Sequence, residues 1–357
     1  MNEQMNGLPE NREHYPYVTR SLLRLHEEGG LRNVASIDVE PDYGYIARLN
    51  YQDGSHRITY GNDLGLNIGA ACDLAKDKGH TKFMLKQIDI NHPKGSTFLL
   101  PWWTEKIMPT QVARGNTSIR TSDQAFGYVE TELGYPVYTK PVDGSKGGDI
   151  YKVHSPEELE ETIALYDEKK IRVAIVEEPI LMPDYRIVSL DGELISAYER
   201  VPLTVVGDGK STIEGLLSGL QEQFEAEGRD TRLDSEDPHI AKHLDKNGLS
   251  IADVPEVDQS IVLLPVSNLS MGGTSREVSG EIHERWAKLA AFIGQNFNLR
   301  LCGVDLACTD ITNPESDYSV IEVNATPGLD HYAASGDVQR VVVDQLYIRV
   351  FDALPRY

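Results

Sequence analysis

Two apolar segments in the last third of the chain each carry an acidic side chain where a buried strand should have none. They are CGVDLACTDI at 302–311 and YSVIEVNATPGLD at 318–330. In an extended strand successive side chains face opposite ways, so Glu322 and Asn324 share one face and Ile321 and Val323 the other. Asp305 lies between Val304 and Leu306. A carboxylate buried in such a segment is costly unless it is paired or bound to a metal. Asp305, Glu322 and Asn324 offer only oxygen ligands, which suits Mg2+, an ion commonly held by one or two carboxylates and the phosphates of a nucleotide. A chain organised in this way should also contain a lysine for phosphate and a glycine-rich loop.

Both are present in PVYTKPVDGSKGGDI, 136–150. Lys140 lies near the end of an expected strand and leads into a loop containing Ser145, Lys146 and Gly147, with Gly144 and Gly148 around them. Glycines let backbone N–H groups approach phosphate oxygens, and lysine adds a compact positive charge. The pattern is neither GxxxxGK[ST] nor GxGxxG, so the P-loop and dinucleotide-binding readings lose their signatures. Alone, such a loop would fit a surface turn; upstream of a Glu-x-Asn strand it points to phosphate. Lys78, in AKDKGHTKFML, is a second lysine candidate, with solvated surface as the plainer reading. Glu177 and Glu178 end the apolar strand VAIV, a position suited to a hinge where backbone groups meet an adenine edge. Asp184 could accept from ribose hydroxyls. Arg186 and Arg200 follow on an expected hairpin, and either could neutralise a carboxylate or a phosphoryl group.

Other constellations are weaker. His239 and His243 are four apart, which would place both on one helical face for zinc, but no HExxH is present and a solvated surface is the plainer reading. His331 follows the Pro327–Gly328 turn that would deliver it beside Asn324, in a substrate-contact or loop-closing role. No GxSxG or Cys/His pair supports acyl-enzyme chemistry. Cys72, Cys302 and Cys308 form no CxxC pair, and the apolar flanks of the last two predict buried packing.

The formal net charge of −22 argues against a nucleic-acid backbone or an anionic membrane as partner. It leaves nucleotide binding open, since a metal and a few lysines can dominate a pocket. The N-terminus has no signal-like apolar segment and no run approaches 18 apolar residues, which predicts a soluble cytoplasmic protein.

Length and hydrophobic patterning predict an α+β chain of two or three lobes. Helices are expected at VTRSLLRLHEE, over 64–87, at RTSDQAFGYVETELG closed by Gly134, and after Ser155-Pro156 with Glu158 completing the cap. Ser211 and Glu214 are spaced for a capping box, and Ile282, Trp286, Leu289 and Ile293 form a buried helical stripe. Short strands are expected over 31–62, and a hairpin turning at Asp191–Gly192. Residues 227–258 are charged and weakly patterned, an expected insertion.

These residues resemble the ATP-grasp superfamily, and within it the ATP-grasp part of cyanophycin synthetase, with kinship to glutathione-synthetase-like and D-alanine–D-alanine-ligase-like enzymes. The matching segments are KDKGHTKFML, GYPVYTKPVDGSKGG, VEEPILMPDYRIVSLDGELISAYERVP, VVGDGKSTIEGLL, LPVSNLSMGGTSREVSGEIH, CGVDLACTDI and YSVIEVNATPGLDH, in the family's order across roughly 64–335. The resemblance implies an ATP-grasp fold of two α/β lobes clasping a nucleotide. Its divisions would be a short N-terminal region (1–63), an ATP-grasp region (64–335) and a C-terminal helical segment (336–357). The middle region would hold a nucleotide-binding lobe (121–185) and a C-terminal lobe (186–335) with the Mg2+ site and the insertion.

The resemblance implies that Lys78 and Lys140 contact ATP phosphates, that Glu177, Glu178 and Ile180 line the adenine hinge, and that Asp184 meets ribose. Asp305, Glu322 and Asn324 would hold two Mg2+ ions, with Mn2+ able to substitute, while Arg186, Arg200 and Arg276 surround an acyl phosphate and substrate carboxylates. The implied activity is an ATP-dependent carboxylate–amine ligase joining amino acids or short peptides through an acyl phosphate, with a homodimer expected. An acid–thiol ligase or phosphotransferase on the same ATP site, and a non-catalytic nucleotide-binding scaffold, are the alternatives. Three departures bear on this. Asp149 stands where relatives often have another glycine, which predicts altered loop closure or repulsion of phosphate. The chain carries one ATP-grasp unit without the Mur-ligase-like half of cyanophycin synthetase, which predicts against a two-step polymerase. The region before residue 64 is short for a substrate domain, so a reduced pocket or a completing partner is expected.

Overall fold

The hairpin expected at Asp191–Gly192 is the spine of the molecule. Both turn residues have positive φ (51° and 83°), the geometry that joins two strands in register without splaying them. The strands it joins, Asp184–Leu190 and Glu193–Val201, lie inside a five-stranded antiparallel sheet. Its order is Thr274–Glu277, Glu193–Val201, Asp184–Leu190, Leu301–Cys308, Tyr318–Asn324. The structure is a computed structural model describing residues 12–110, 120–144, 149–226, 231–264, 267 and 269–353.

One face of this sheet is apolar along its length. Tyr185, Ile187, Ala197, Val304, Leu306 and Val323 pack with helix Glu284–Asn296 and with the two helices Gly69–Lys76 and Lys78–Gln87. The expected stripe of helix Glu284–Asn296 is the packed one: Trp286 and Ile293 are fully buried, with Ile282 and Leu289 against the same core. The helical stretch over 64–87 is broken at Asp77, whose carboxylate accepts from the N–H of His80 (2.9 Å) and so starts a second helix at Lys78. Cys302 and Cys308 are buried here as free thiols, and burial pushes the Cys302 thiol up to about 12.

A second, four-stranded sheet has the order Gly95–Leu99, Val173–Glu177, Val137–Pro141, Tyr151–Val153. Helices Ser122–Tyr128 and Pro156–Glu168 back it, around Phe98, Val137, Leu159, Tyr166 and Val176. Ser155 caps helix Pro156–Glu168 as the sequence predicts: its hydroxyl accepts from the N–H of Glu158 (3.3 Å), whose side chain returns to the N–H of His154 (3.0 Å). Elsewhere the expected cap is displaced by one residue. Ser211 is held in a turn by Asp208, and Thr212 instead accepts from the N–H of Gly215 (3.1 Å) at the start of helix Ile213–Ala226.

The first and last α-helices among the described residues share a core. Helix Tyr17–Glu27 and the antiparallel meander Val34–Val39, Ile46–Tyr51, His56–Tyr60 share one core with helix Asp337–Ile348 and with Leu190, Tyr198 and Leu301 of the large sheet. The segment after the hairpin forms a unit with its own core. Ribbon Thr204–Val206/Ser260–Val262 and helices Ile213–Ala226 and Pro238–Lys246 bury Val205, Leu217, Ile240, Leu244 and Leu263 together. Part of the charged stretch 227–258 is thus an ordered helix, capped by Asp237. Its His239 lies against Tyr151 (ring centroids 6.0 Å). Among the described residues no helix is long and apolar enough to cross a membrane.

Trp286 fills the space between the large sheet and its covering helix, with its ring 5.3 Å from that of Tyr318. Trp286→Ala should cost about 3–5 kcal/mol of unfolding free energy, the range for emptying a packed aromatic site. Urea denaturation checks this through a lower midpoint at unchanged slope.

Candidate active site

Strand register places the acidic residues and the arginines in rows. Asp305 is opposite Glu322 on one side and Arg186 on the other, and Asp184 is opposite Arg200. Directly opposed residues share a face, so these side chains converge on the face away from helix Glu284–Asn296. Asp305 is only 1% exposed and would be untenable alone. Arg186 engages both of its oxygens: Nε donates to Oδ1, and Nη2 donates to Oδ2 at 3.0 Å. Arg200 Nη2 lies 2.9 Å from Asp305 Oδ2 and donates to both oxygens of Asp184 (3.0 and 2.7 Å). Burial pushes the Asp305 carboxyl up, but the two guanidiniums outweigh it and hold the group below the ordinary carboxylate range. Two carboxylates and two guanidiniums form a neutral buried quartet. Gly303 makes room for it, since a Cβ there would lie 3.3 Å from Arg186 Cδ and 2.9 Å from Pro327 Cβ.

The cations on the other side come from helix Lys78–Gln87 and the smaller sheet. Lys78 and Lys82 are one helical turn apart and so share a face. Lys78 Nζ sits 3.1 Å from Glu322 Oε1 and donates to the carbonyl of Gly144 (2.8 Å). Lys82 Nζ sits 2.9 Å from Glu177 Oε1 and donates to the carbonyl of Pro93. The other oxygen of Glu177, Oε2, is 2.6 Å from Lys140 Nζ. Burial would raise the Glu177 carboxyl, yet the two ammoniums override it and pull it down to about 2. Burial works against the charge of Lys140 too, but Glu177, and then Glu322 and Asp305, keep its pKa above the ordinary lysine value. For Lys82 burial wins, and its pKa is lowered. Gly95 permits this packing: a Cβ there would stand 2.5 Å from the carbonyl oxygen of Val176.

The structure therefore brings Lys78, Lys140, Glu177, Asp184, Arg186, Arg200, Asp305 and Glu322 into one charged cluster. Asn324 is opposite Gly303 on the neighbouring strand, and its side-chain nitrogen is buried without a partner. An orphaned amide beside Glu322 and Asp305 fits a hard cation, because rotation of the amide presents its oxygen. Among the described residues no group of three or more His, Cys, Asp or Glu could hold a metal ion.

Other expected residues have different partners. Arg276 is opposite Glu199 and next to Ser275, which is opposite Arg200. Alternation thus turns Arg276 to the reverse face of the sheet, where it pairs with Glu199 (2.8 Å) and Glu281 (3.0 Å), half exposed. His331 sits in the short helix Asp330–Ala334 beside Asp330. Glu178 uses its carboxylate to accept from the N–H of Lys94 (2.7 Å), and Ile180 is half-buried after the strand end. Asp184 is held by Arg200 through both oxygens rather than presented alone. Ser145, Lys146 and Gly147 lie outside the described residues. Asp149 is turned away toward Lys169, to which it is ion-paired. Lys82 was not singled out from the sequence, although its spacing of four from Lys78 was there to be read.

The crystal structure of a bifunctional glutathione synthetase from Pasteurella multocida matches 94% of this chain and 44% of that one, with a TM-score of 0.58 at 20% identity. In sequence, cyanophycin synthetase of Crocosphaera subtropica is 30% identical over 317 residues, covering 85% of this chain and 34% of that protein. The glutathione biosynthesis bifunctional protein GshAB of Pasteurella multocida is 26% identical over 287 residues, or 78% of this chain and 35% of that protein. The chain is similar to ligases of the ATP-grasp superfamily. Its α+β architecture is the ATP-grasp fold. No family model matches the chain, which spans about a third of the length of these curated relatives.

Glu177 supplies a pH test. Its folded pKa of about 2 lies below its ordinary value of 4.5, so its stabilising contribution is full above about pH 4.5 and is lost as pH falls toward 2. The contribution is on the order of 3 kcal/mol for a fully buried group. Glu177→Gln should flatten this part of the stability–pH curve, measured by denaturant unfolding from pH 6 down to the acid limit.

Proposed function

We propose that this ATP-grasp chain is an ATP-dependent carboxylate–amine ligase that forms an amide or peptide bond between amino acids or short peptides. One observation carries the reading: Lys78 Nζ lies 3.1 Å from Glu322 Oε1, and Glu322 stands opposite Asp305, which is paired with Arg186 and Arg200. Phosphate-binding cations, an oxygen-donor set and carboxylate-binding guanidiniums are thereby close enough to act on one phosphoryl transfer.

Lys78 and Lys140 would bind the phosphates, while Glu177 to Ile180 would border the base. ATP-grasp ligases use ATP and Mg2+ in general. Bound to Asp305, Glu322 and Asn324, Mg2+ would offset charge on the transferring phosphoryl oxygens. Arg186 and Arg200 would orient the acyl carboxylate for attack on the terminal phosphorus, with ADP leaving. The amine then attacks the acyl phosphate and expels phosphate, and exclusion of water until that moment protects the mixed anhydride. Among the described residues the cluster contains no hydroxyl, thiol or imidazole placed as a nucleophile, in keeping with direct transfer between substrates. The similarity to cyanophycin synthetase and GshAB favours this reading over a thiol acceptor or a simple phosphotransferase.

Phosphate release from Mg·ATP should depend on pairs of amino acids or peptides, and mass analysis should find a product lighter by one water than its two parts. Release with a thiol acceptor, or with one substrate that ends phosphorylated, would move the assignment to those chemistries. ATP binding without turnover for any pair would favour a non-catalytic role. Glu322→Gln should lower kcat by at least about a hundredfold, the scale of losing one strong transition-state contact, while preserving Tm within a few degrees.

A further inference from the structure

We propose that Lys82 is a positioning residue for nucleotide binding: it holds the far oxygen of Glu177 so that Lys140 keeps positive charge available for phosphate. The inference rests on the reading of Lys140 as a phosphate ligand and adds a residue and a device to it.

The geometry is a shared carboxylate. Glu177 gives Oε1 to Lys82 and Oε2 to Lys140, at 2.9 and 2.6 Å. Both ammoniums and the carboxylate are shielded from solvent, with side-chain exposures of 11%, 9% and 5%. One negative charge cannot neutralise two positive ones, so the trio carries a net charge of +1 in a low-dielectric setting where that charge acts strongly. Lys140 is the member on which the charges of Glu322 and Asp305 act, whereas Lys82 contacts the other oxygen of Glu177 and is anchored on the carbonyl of Pro93. Lys82 is thus placed to act through Glu177 and not on the phosphates.

Remove Lys82, and both oxygens of Glu177 fall to Lys140. The pair becomes neutral, and a phosphate would have to compete with a buried carboxylate for the ammonium. The helix makes the arrangement rigid. Lys78, one turn earlier, is tied to Glu322 and to the Gly144 carbonyl, so the same helical face fixes cations against the acidic residues of both sheets.

The test is equilibrium binding of Mg·ADP, a non-hydrolysable Mg·ATP analogue and adenosine to the full chain. Lys82→Met should raise the Kd of both phosphate-bearing ligands roughly tenfold, the scale of one charge-assisted contact, and leave adenosine unchanged. Lys82→Arg should bind like the wild type. Lys82→Met/Glu177→Gln should bind Mg·ADP more tightly than Lys82→Met, because the competing carboxylate is gone. A folded Lys82→Met with wild-type Kd overturns the proposal, as does an equal loss for adenosine, which would mark a structural role. Should Lys82→Met not fold, Glu177→Gln and the double variant decide: Kd values within about threefold of each other support the relay, and a further tenfold loss overturns it. Lys140→Met separates the two levels. Wild-type Mg·ADP binding by that variant would sink the phosphate-ligand reading itself, while its loss together with an unchanged Lys82→Met would sink only the relay.

Discussion

The structure depends on buried carboxylates being matched by basic side chains from other elements. Asp305 is on an interior strand of the large sheet, and its ionised form survives there because guanidiniums from the adjacent hairpin meet both oxygens. Glu177 survives at the end of a strand in the smaller sheet because a helix lysine and a strand lysine take one oxygen each. Such pairs contribute little net stability compared with apolar packing, but leaving one member alone is severely costly. Their value is in specification, since a one-residue slip of either strand would turn its acid toward the apolar core. The register that hides Val304 and Leu306 against helix Glu284–Asn296 is the register that aims Asp305 at Arg186.

Much of this could be read from the chain because local rules and global folding agree. The acidic residues in the apolar strands, the Asp191–Gly192 turn and the Ser155 cap are each short-range signals, and each persists in the fold. Where the reading went astray, alternation or competition decided. The resemblance places Arg276 beside the acyl phosphate, but its strand pairs at the sheet edge in a register that turns it to the opposite face. Ser211 has the spacing of a cap, but the carboxylate of Asp208 binds it first. The role of Asp149 was hidden for a similar reason: its partner Lys169 is twenty residues away at the end of a helix, and no local pattern links them.

Lys82 shows a different limit. Its helix placed it on the face of Lys78, which sequence spacing does reveal. What spacing does not reveal is that Glu177, almost a hundred residues later, ends its strand at that face. Its side chain then becomes a counter-ion, where strand-end logic alone pointed to backbone contacts with a base. Pairings across sheets arise from the packing of whole elements, so a sequence displays the participants without the partnership.

The same partnerships explain how a chain of net charge −22 can present a site suited to a polyanion. The quartet of Asp184, Asp305, Arg186 and Arg200 is neutral, Lys78 offsets Glu322, and the trio around Glu177 is left with one positive charge. At physiological salt the field of exposed acids decays over about 8 Å, while buried pairs are screened far less. A polyanion entering there would therefore feel the neutral-to-positive lining more than the surface charge. Burial, which makes each of these groups costly to maintain, is also what keeps the site's local balance separate from that of the rest of the protein.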